Sequence, residues 1–269
     1  MDQPTKINKT KISDTETMTE IRTDFGDRMG FAIRWIYDEK GFFHLEHYYP
    51  YFIGAKITAR EDVIINKRID TDAYTAMCDD IRLGVSLIFY LQNSIDYMER
   101  NRNKINNKKH IMSVTLSALS IEGKILLGIE MDAKMFEKRH EETILRNQLI
   151  MEAKNGNQEA MDTLAIDEID LYAMVSRRIR KEDIYSIIES TFIPYGSESD
   201  NYSIVGTILS FREIVNSYTG EIVYELFVAC NELNYSVCIN KIDLQGEPMV
   251  GRRFKGNIWM QGYVHFTKA

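Results

Sequence analysis

The residues best placed to do chemistry lie near the end of the chain, where Arg252, Arg253 and Lys255 precede Trp259, Gln261 and Tyr263. In extended backbone Arg253 and Lys255 share one face of a strand, and Trp259, Gln261 and Tyr263 line one face of the next. Cations beside flat rings are what single-stranded nucleic acid requires, because phosphates take the cations and bases stack on the rings. The competing expectation, and the favoured one, is that Trp259 and Tyr263 fill or seal a core, where large aromatic side chains usually sit.

Other groupings carry weaker chemistry. Asp79 and Asp80 form an acidic pair before an apolar run and could serve a cation or acid–base work, although short carboxylates also accept local backbone N–H bonds. His44-Leu45-Glu46-His47 is the closest histidine and carboxylate grouping. On a strand His44 and Glu46 point one way and His47 the other, which does not build a metal site, so no metal is expected. Arg100 to Lys104 and Lys108-Lys109-His110 make a basic, asparagine-rich stretch that reads as a charged loop. The chain has no nucleophile elbow, Walker loop or dinucleotide fingerprint, so no catalytic residue and no cofactor is assigned.

These residues need elements to hold them. Strict alternation over Met29, Phe31, Ile33, Trp35 and Tyr37, turn chemistry at Asp38 to Gly41, and a second run from Phe42 to Tyr49 predict a hairpin that Pro50 and Gly54 interrupt. Ile81 to Leu91 alternates again and reads as a central strand, followed by a short helix from Ser94. A second hairpin is expected over Met112–Ile121 and Lys124–Met131, turning at Glu122-Gly123. Helical spacing then takes over: Leu145, Leu149 and Ala153 lead to a left-handed cap at Gly156, Asn157 caps the next helix, and further helices use Leu171, Met174, Val175 and Ile179, then Ile184, Ile187 and Ile188. The segment Glu152 to Met161 is similar to one unit of a Sel1-type repeat, but no second copy follows, so a solenoid is not expected. After Pro194-Tyr195-Gly196, five strands are predicted: Tyr202–Arg212, Glu221–Cys230, Asn234–Asn240, Arg252–Lys255 and Asn257–Phe266. Their spacing fits a small barrel of the oligonucleotide/oligosaccharide-binding (OB) type.

The expected fold is therefore α+β. It comprises a variable or disordered segment 1–24, an antiparallel sheet domain 25–131, a helical connector 132–195 and a small OB-like β-barrel over 196–269. With 269 residues, 44% of them hydrophobic, the chain can bury a substantial core, and a net charge of −7 supplies no general field for polyanions or anionic membranes. The first two dozen residues lack an apolar run, and Leu87 to Leu91 is too short to span a bilayer, so a cytoplasmic protein with no membrane association is expected. Cys78, Cys230 and Cys238 lack zinc or redox spacing. If the turn centres on Glu232-Leu233, Cys230 pairs with Tyr235 while Cys238 lies opposite Phe227 on the other face, which forbids a disulfide between them.

Three long runs also carry a resemblance: Cys78 to Asn93, Pro194-Tyr195-Gly196, and Gly246 to Gly262. From about Tyr37 to Phe266 the chain resembles a family of uncharacterised clostridial proteins, domain of unknown function 3881. The resemblance implies one shared architecture and a cytosolic location; it supplies no activity, cofactor or catalytic residue. The leading functional expectation is a non-catalytic binding or interaction protein, with an unknown protein or small ligand as partner, acting through a surface between its two sheet units. A nucleic-acid-binding barrel is the alternative, possible but not favoured, and an enzyme with an unrecognised site comes third.

Overall fold

The computed structural model describes residues 4–61, 63–67, 74–80, 85–102, 112–128, 144–146, 148–153, 155–167, 185, 188–231 and 233–266. Four strands open the chain: β1 (Lys6–Lys11), β2 (Thr17–Gly26), β3 (Met29–Tyr37) and β4 (Phe43–Phe52). Next come β5 (Ala59–Glu61), β6 (Val63–Lys67), β7 (Tyr74–Asp80), β8 (Val85–Leu91), helix α1 (Ser94–Arg102) and β9 (Met112–Leu126). The last strands are β10 (Thr191–Pro194), β11 (Asn201–Val215), β12 (Ile222–Cys230), β13 (Leu233–Asn240), β14 (Leu244–Gln245) and β15 (Arg253–His265). The molecule is mostly β with a few helical turns. Among the described residues no helix is long and apolar enough to cross a membrane.

Strands β1 to β4 form an antiparallel sheet in chain order, which we call the N-terminal sheet. Its β3–β4 hairpin is the predicted one, turned by Asp38, whose carboxylate accepts from the backbone N–H groups of Lys40 and Phe42. Pro50 does not break β4, because β4 is an edge strand and a missing N–H costs the sheet nothing on its open side. Within the segment 1–24, expected to be variable or disordered, residues 6–11 form β1 and residues 17–24 lie in β2.

The second sheet closes on itself. Strand β11 pairs with both β12 and β15, and the circuit β11-β12-β13-β9-β15-β11 is a five-strand barrel. Two sequence expectations change here, and both for the same reason. Where Arg252–Lys255 and Asn257–Phe266 were expected as two strands, Arg253–His265 is one, and no turn falls at Glu122-Gly123: β9 runs unbroken from Met112 to Leu126. The glycines read as turns, Gly123 and Gly256, are cross-strand partners, and a Cβ on either would collide with the Phe254 ring. Their small size admits an inward aromatic ring; it does not reverse the chain. The barrel therefore takes a strand from the amino-terminal half, and 196–269 alone does not close it.

The barrel interior is packed by Tyr202, Ile204, Leu226, Val228, Tyr235, Val237, Phe254, Ile258, Met260 and the inward residues of β8 and β9, including Phe89 and Leu116. Between barrel and N-terminal sheet lies a smaller core of Met29, Phe52, Ile214, Val223 and Cys238. The β12–β13 register is two residues from the expected one, Val228 opposite Tyr235 and Cys230 opposite Leu233, and the chain leaves β12 through Asn231 in the left-handed region at φ 46. A shift of two keeps every side chain on its face. Cys230 consequently lies inside the barrel and Cys238 outside it, and both are free and buried.

Residues 148–153 and 158–167 are helical. The cap between them has the expected form: Gly156 at φ 89, its N–H on the Ala153 carbonyl and the Asn157 N–H on the Glu152 carbonyl, with the Asn157 side chain accepting from Glu159 and Ala160. The expectations for Leu171, Met174, Val175, Ile179, Ile184 and Ile187 lie outside the described residues.

Candidate functional site

Strand β15 alternates cleanly. Phe254, Ile258, Met260 and Val264 point into the barrel, so Arg253, Lys255, Trp259, Gln261 and Tyr263 share its outer face. The basic and aromatic cluster is thus brought together on one strand, with Arg252 just ahead of it, donating to the Glu247 carbonyl at 3.0 Å. The surface these residues make is occupied. Arg253 is buried and donates to the carbonyls of Leu127 at 2.9 Å, Ile188 at 2.7 Å and Tyr185 at 2.6 Å. Lys255 donates to the Tyr185 hydroxyl, with its ammonium 4.4 Å from that ring.

Further along the same face, the Trp259 indole donates to Asp200 at 3.0 Å and meets Tyr90 edge-on at 5.1 Å. Gln261 is fully buried, donating to Pro50 O and accepting from Phe52 N and Gln92 Nε2. The Tyr263 hydroxyl donates to Asp96, and burial, then Asp96, raises its pKa. This face is a seam in which cations spend their N–H groups on protein carbonyls.

The remaining sequence candidates are not drawn together. Asp79 and Asp80 end β7, in register with Ser86 and Val85, and their side chains lie outside the described part. A bulge in β4 changes the histidine geometry: Arg34 is opposite His47 and Trp35 opposite Leu45, which leaves Glu46 as the extra residue and puts His44 and His47 on the same side. They still do not converge, since His44 bonds Asp38 at 3.1 Å while His47 stacks on Tyr49. Among the described residues no group of ligands could hold a metal. Helix α1 begins at Ser94 as expected, and Arg100 lies over the Phe266 ring at 5.1 Å; most of the basic stretch, 103–110, is outside the described residues.

The site with the strongest electrostatics was not anticipated. On the face of the N-terminal sheet that packs inward, Glu20, Arg22, Arg34 and Tyr49 occupy neighbouring register positions and all are buried. Glu20 accepts from Arg22 Nε at 2.8 Å and Arg34 Nε at 2.5 Å. Both guanidiniums also donate to the Gln92 carbonyl, at 2.6 and 3.2 Å, and that carbonyl takes a further bond from the Tyr49 hydroxyl. Burial opposes the Glu20 carboxylate, but Arg34 and Arg22 outweigh it and hold its pKa below the usual range. Burial raises the hydroxyl pKa values of Tyr49 and Tyr90. Arg34 Nη1 and the Tyr90 hydroxyl are buried donors of this site without a hydrogen-bond partner.

A second network fastens the sheet at its end. Glu225, buried on the outer side of β12, accepts from Arg28 at 2.7 and 2.9 Å, from Arg212 at 2.6 Å and from Ser236 at 2.9 Å. Arg28 sits in the β2–β3 turn at φ 61, so this turn is latched onto the barrel. Between the two sheet units, where a binding surface was expected, these charged groups lie beside the small core of Met29, Phe52, Ile214, Val223 and Cys238.

The opposite face of the N-terminal sheet is apolar. Ile7, Ile21, Ile33 and Tyr48 form one register row, Lys9, Thr19, Trp35 and Leu45 a second, and Lys11, Thr17, Tyr37 and Phe43 a third, with the two lysines at the β1 edge. Neighbouring rings touch: Phe31 with Tyr48 at 5.9 Å, Trp35 with Phe43 at 5.8 Å, Tyr37 with Phe43 at 6.2 Å. Ile7, Tyr37, Phe43, Leu45 and Tyr48 are between 44% and 60% exposed. The sheet is inverted relative to an ordinary half-buried sheet, which turns its apolar residues to the core and its charges to water. The alternation of β3 was legible; its direction was not. The matching signal was the paired charge of Glu20, Arg22 and Arg34 on the other parity, where a solvent face would carry unpaired ones.

Comparison with known proteins gives one result. No curated protein and no solved structure matches the chain. The model of a family described as "Domain of unknown function, E. rectale Gene description (DUF3881)" matches residues 1–262, including the first strands that the sequence resemblance did not reach, and the chain belongs to that family.

Proposed function

We propose that this protein is a non-catalytic binding or interaction protein that works through the outward face of its N-terminal sheet. The observation that carries this reading is the inversion of that sheet. A broad, mostly apolar face on which aromatic rings cluster, with Ile7, Tyr37, Phe43, Leu45 and Tyr48 exposed together, marks a contact surface. Aromatic enrichment with few charges is also the composition of an interface centre. The charged groups that could do other chemistry are committed to one another beneath it. Two buried thiols on opposite faces fit a reducing, cytoplasmic setting. The test is affinity capture from native lysate with the full chain and with a Leu45→Asp/Tyr48→Asp variant: the reading expects retained material that depends on the face and is unchanged by nuclease. Identical capture by both would count against it.

One observation favours the nucleic-acid alternative. Strand β13 pairs in parallel with β9, while β9–β15 and β15–β11 are antiparallel. We read this as OB connectivity with the fifth strand moved ahead of the first, and 132–195 as a helical connector that fills the resulting gap. In an OB barrel the ligand face spans the second and third strands. Here the outer side of β12 and β13 lies under the N-terminal sheet through Val223, Glu225 and Cys238. Salt-sensitive oligonucleotide binding would revive the alternative; its absence at moderate salt is the expected result.

A further inference from the structure

We infer that the buried cluster beneath the N-terminal sheet binds a small monovalent anion, of the size and charge of chloride, between the Arg34 guanidinium and the Tyr90 hydroxyl. This is independent of the outward face. Its starting point is a charge imbalance. Arg22 and Arg34 are both buried, and among the described residues Glu20 is the one carboxylate bonded to either of them. One positive charge is left over. The groups around it do not offset it: burial keeps the Tyr49 and Tyr90 hydroxyls neutral, Asp24 is exposed and accepts from Tyr51, and Asp200 accepts from the Trp259 indole. Ala32, Tyr49, Tyr51 and Tyr90, with Ile53 and Trp259 packed on them, make the surroundings largely apolar, and an unbalanced charge in such a medium is costly.

The protein's other network of this kind is balanced. There Arg28 and Arg212 share Glu225, and a second carboxylate, Asp27, reaches both guanidiniums. The Glu20 cluster repeats the two guanidiniums and the shared acid without the second acid.

Geometry locates the deficit. Glu20 takes Arg34 Nε, and Tyr49 with the Gln92 carbonyl takes Nη2, which leaves Nη1 buried and without a partner. The Tyr90 hydroxyl is a second buried donor with nothing to bond. Both groups border Tyr49: the Arg34 guanidinium carbon lies 5.0 Å from the centre of that ring, and the Tyr90 ring centre 4.7 Å from it. Arg34 and Tyr90 also act on each other's ionisation, so the two donors lie within electrostatic reach. Two donors beside a surplus positive charge call for an acceptor that is itself negative. A water molecule would take the bonds and leave the charge. A single-atom anion meets both demands in the least space, which a close-packed interior favours over a carboxylate or a phosphate. Exchange needs a local opening, and at the β4 edge the ring to be moved is that of half-buried His47, 5.6 Å from Tyr49 and 5.8 Å from Tyr90.

Chloride and bromide are the probes. Thermal unfolding of the full chain is followed at constant ionic strength while chloride replaces gluconate, which is too bulky for the site. The midpoint is expected to rise with chloride and to level off as the site fills. Tyr90→Phe removes one donor and no charge, so it should raise the chloride concentration for half the effect at least about tenfold, with an unchanged far-UV circular dichroism spectrum. Arg34→Met removes the surplus charge and should abolish the response; should it not fold, Tyr90→Phe still decides. Crystals soaked in bromide are expected to show an anomalous peak within hydrogen-bond distance of Arg34 Nη1 and the Tyr90 hydroxyl. A midpoint indifferent to chloride, a response that Tyr90→Phe leaves intact, or water at that place with bromide only elsewhere overturns the inference.

Discussion

Glu20 decides the charge balance of the sheet junction. Two buried guanidiniums share its carboxylate, and removing one member of such a triad leaves the others desolvated without compensation. Glu20→Gln is expected to lower unfolding stability by about 3–5 kcal/mol, read by chemical denaturation. Because the folded-state pKa of Glu20 lies below its unfolded value, its contribution is fully present above about pH 4.5 and is lost as the pH falls through the folded value. Acid titration of the wild type should therefore lose stability below that point, and Glu20→Gln should lose less over the same interval. The thiols make a second expectation at this scale. Burial raises Cys230 and Cys238 to about 12, so thiolate is scarce at neutral pH. Neither should react with iodoacetamide in the native protein, and both should alkylate after denaturation without reductant; a recovered Cys230–Cys238 disulfide would contradict their placement on opposite faces.

At the level of elements, β9 controls whether the barrel exists. It lies between β13 and β15, so a fragment 189–266 has two unpaired edges and an open core. Circular dichroism of that fragment is expected to show no cooperative melting. Ser113 is the register partner of His265, which places the start of β9 beside the end of β15; appending residues 112–128 after Phe266 through a short turn should restore a cooperative unit. The facing glycines give a sharper check. Gly123→Val pushes a side chain into the Phe254 ring and should cost about 1–3 kcal/mol by overpacking, a result a turn glycine in open solvent would not show. The outer face of β15 is similarly structural: Arg253→Met strands three carbonyl acceptors and is expected to reduce stability by at least about 2 kcal/mol, measured in urea.

Across the whole molecule, buried ion pairs join a small apolar core in holding the sheet on the barrel, while a further set of apolar residues of the sheet faces outward. The Arg28–Glu225 latch and the Glu20 triad grip the same sheet at separate places. The bonds these charged groups do make are directional, which favours one placement of the sheet on the barrel. Glu225→Ala should free the β2–β3 turn, seen as faster amide exchange at Asp27 and Arg28, while the barrel amides stay protected.

Local signals in the sequence determined much of this structure. The alternation of β3, the Asp38 turn, the start of α1, the Gly156–Asn157 cap and the strands β11 to β13 are each set by residues within a few positions of one another, where sterics and short hydrogen bonds suffice. Three matters were decided only by tertiary contact. A period of two says that the faces of β3 differ and is silent on which is inside; Gln92, far along the chain, settled that by giving Arg34 and Arg22 a shared carbonyl acceptor. A glycine between apolar runs reads as a turn or as space for a ring, and Gly123 and Gly256 became space only once Phe254 lay across them. The basic and aromatic run of β15 looked like a ligand surface because its acceptors, the carbonyls of Leu127, Tyr185 and Ile188, are backbone atoms that no side-chain pattern announces.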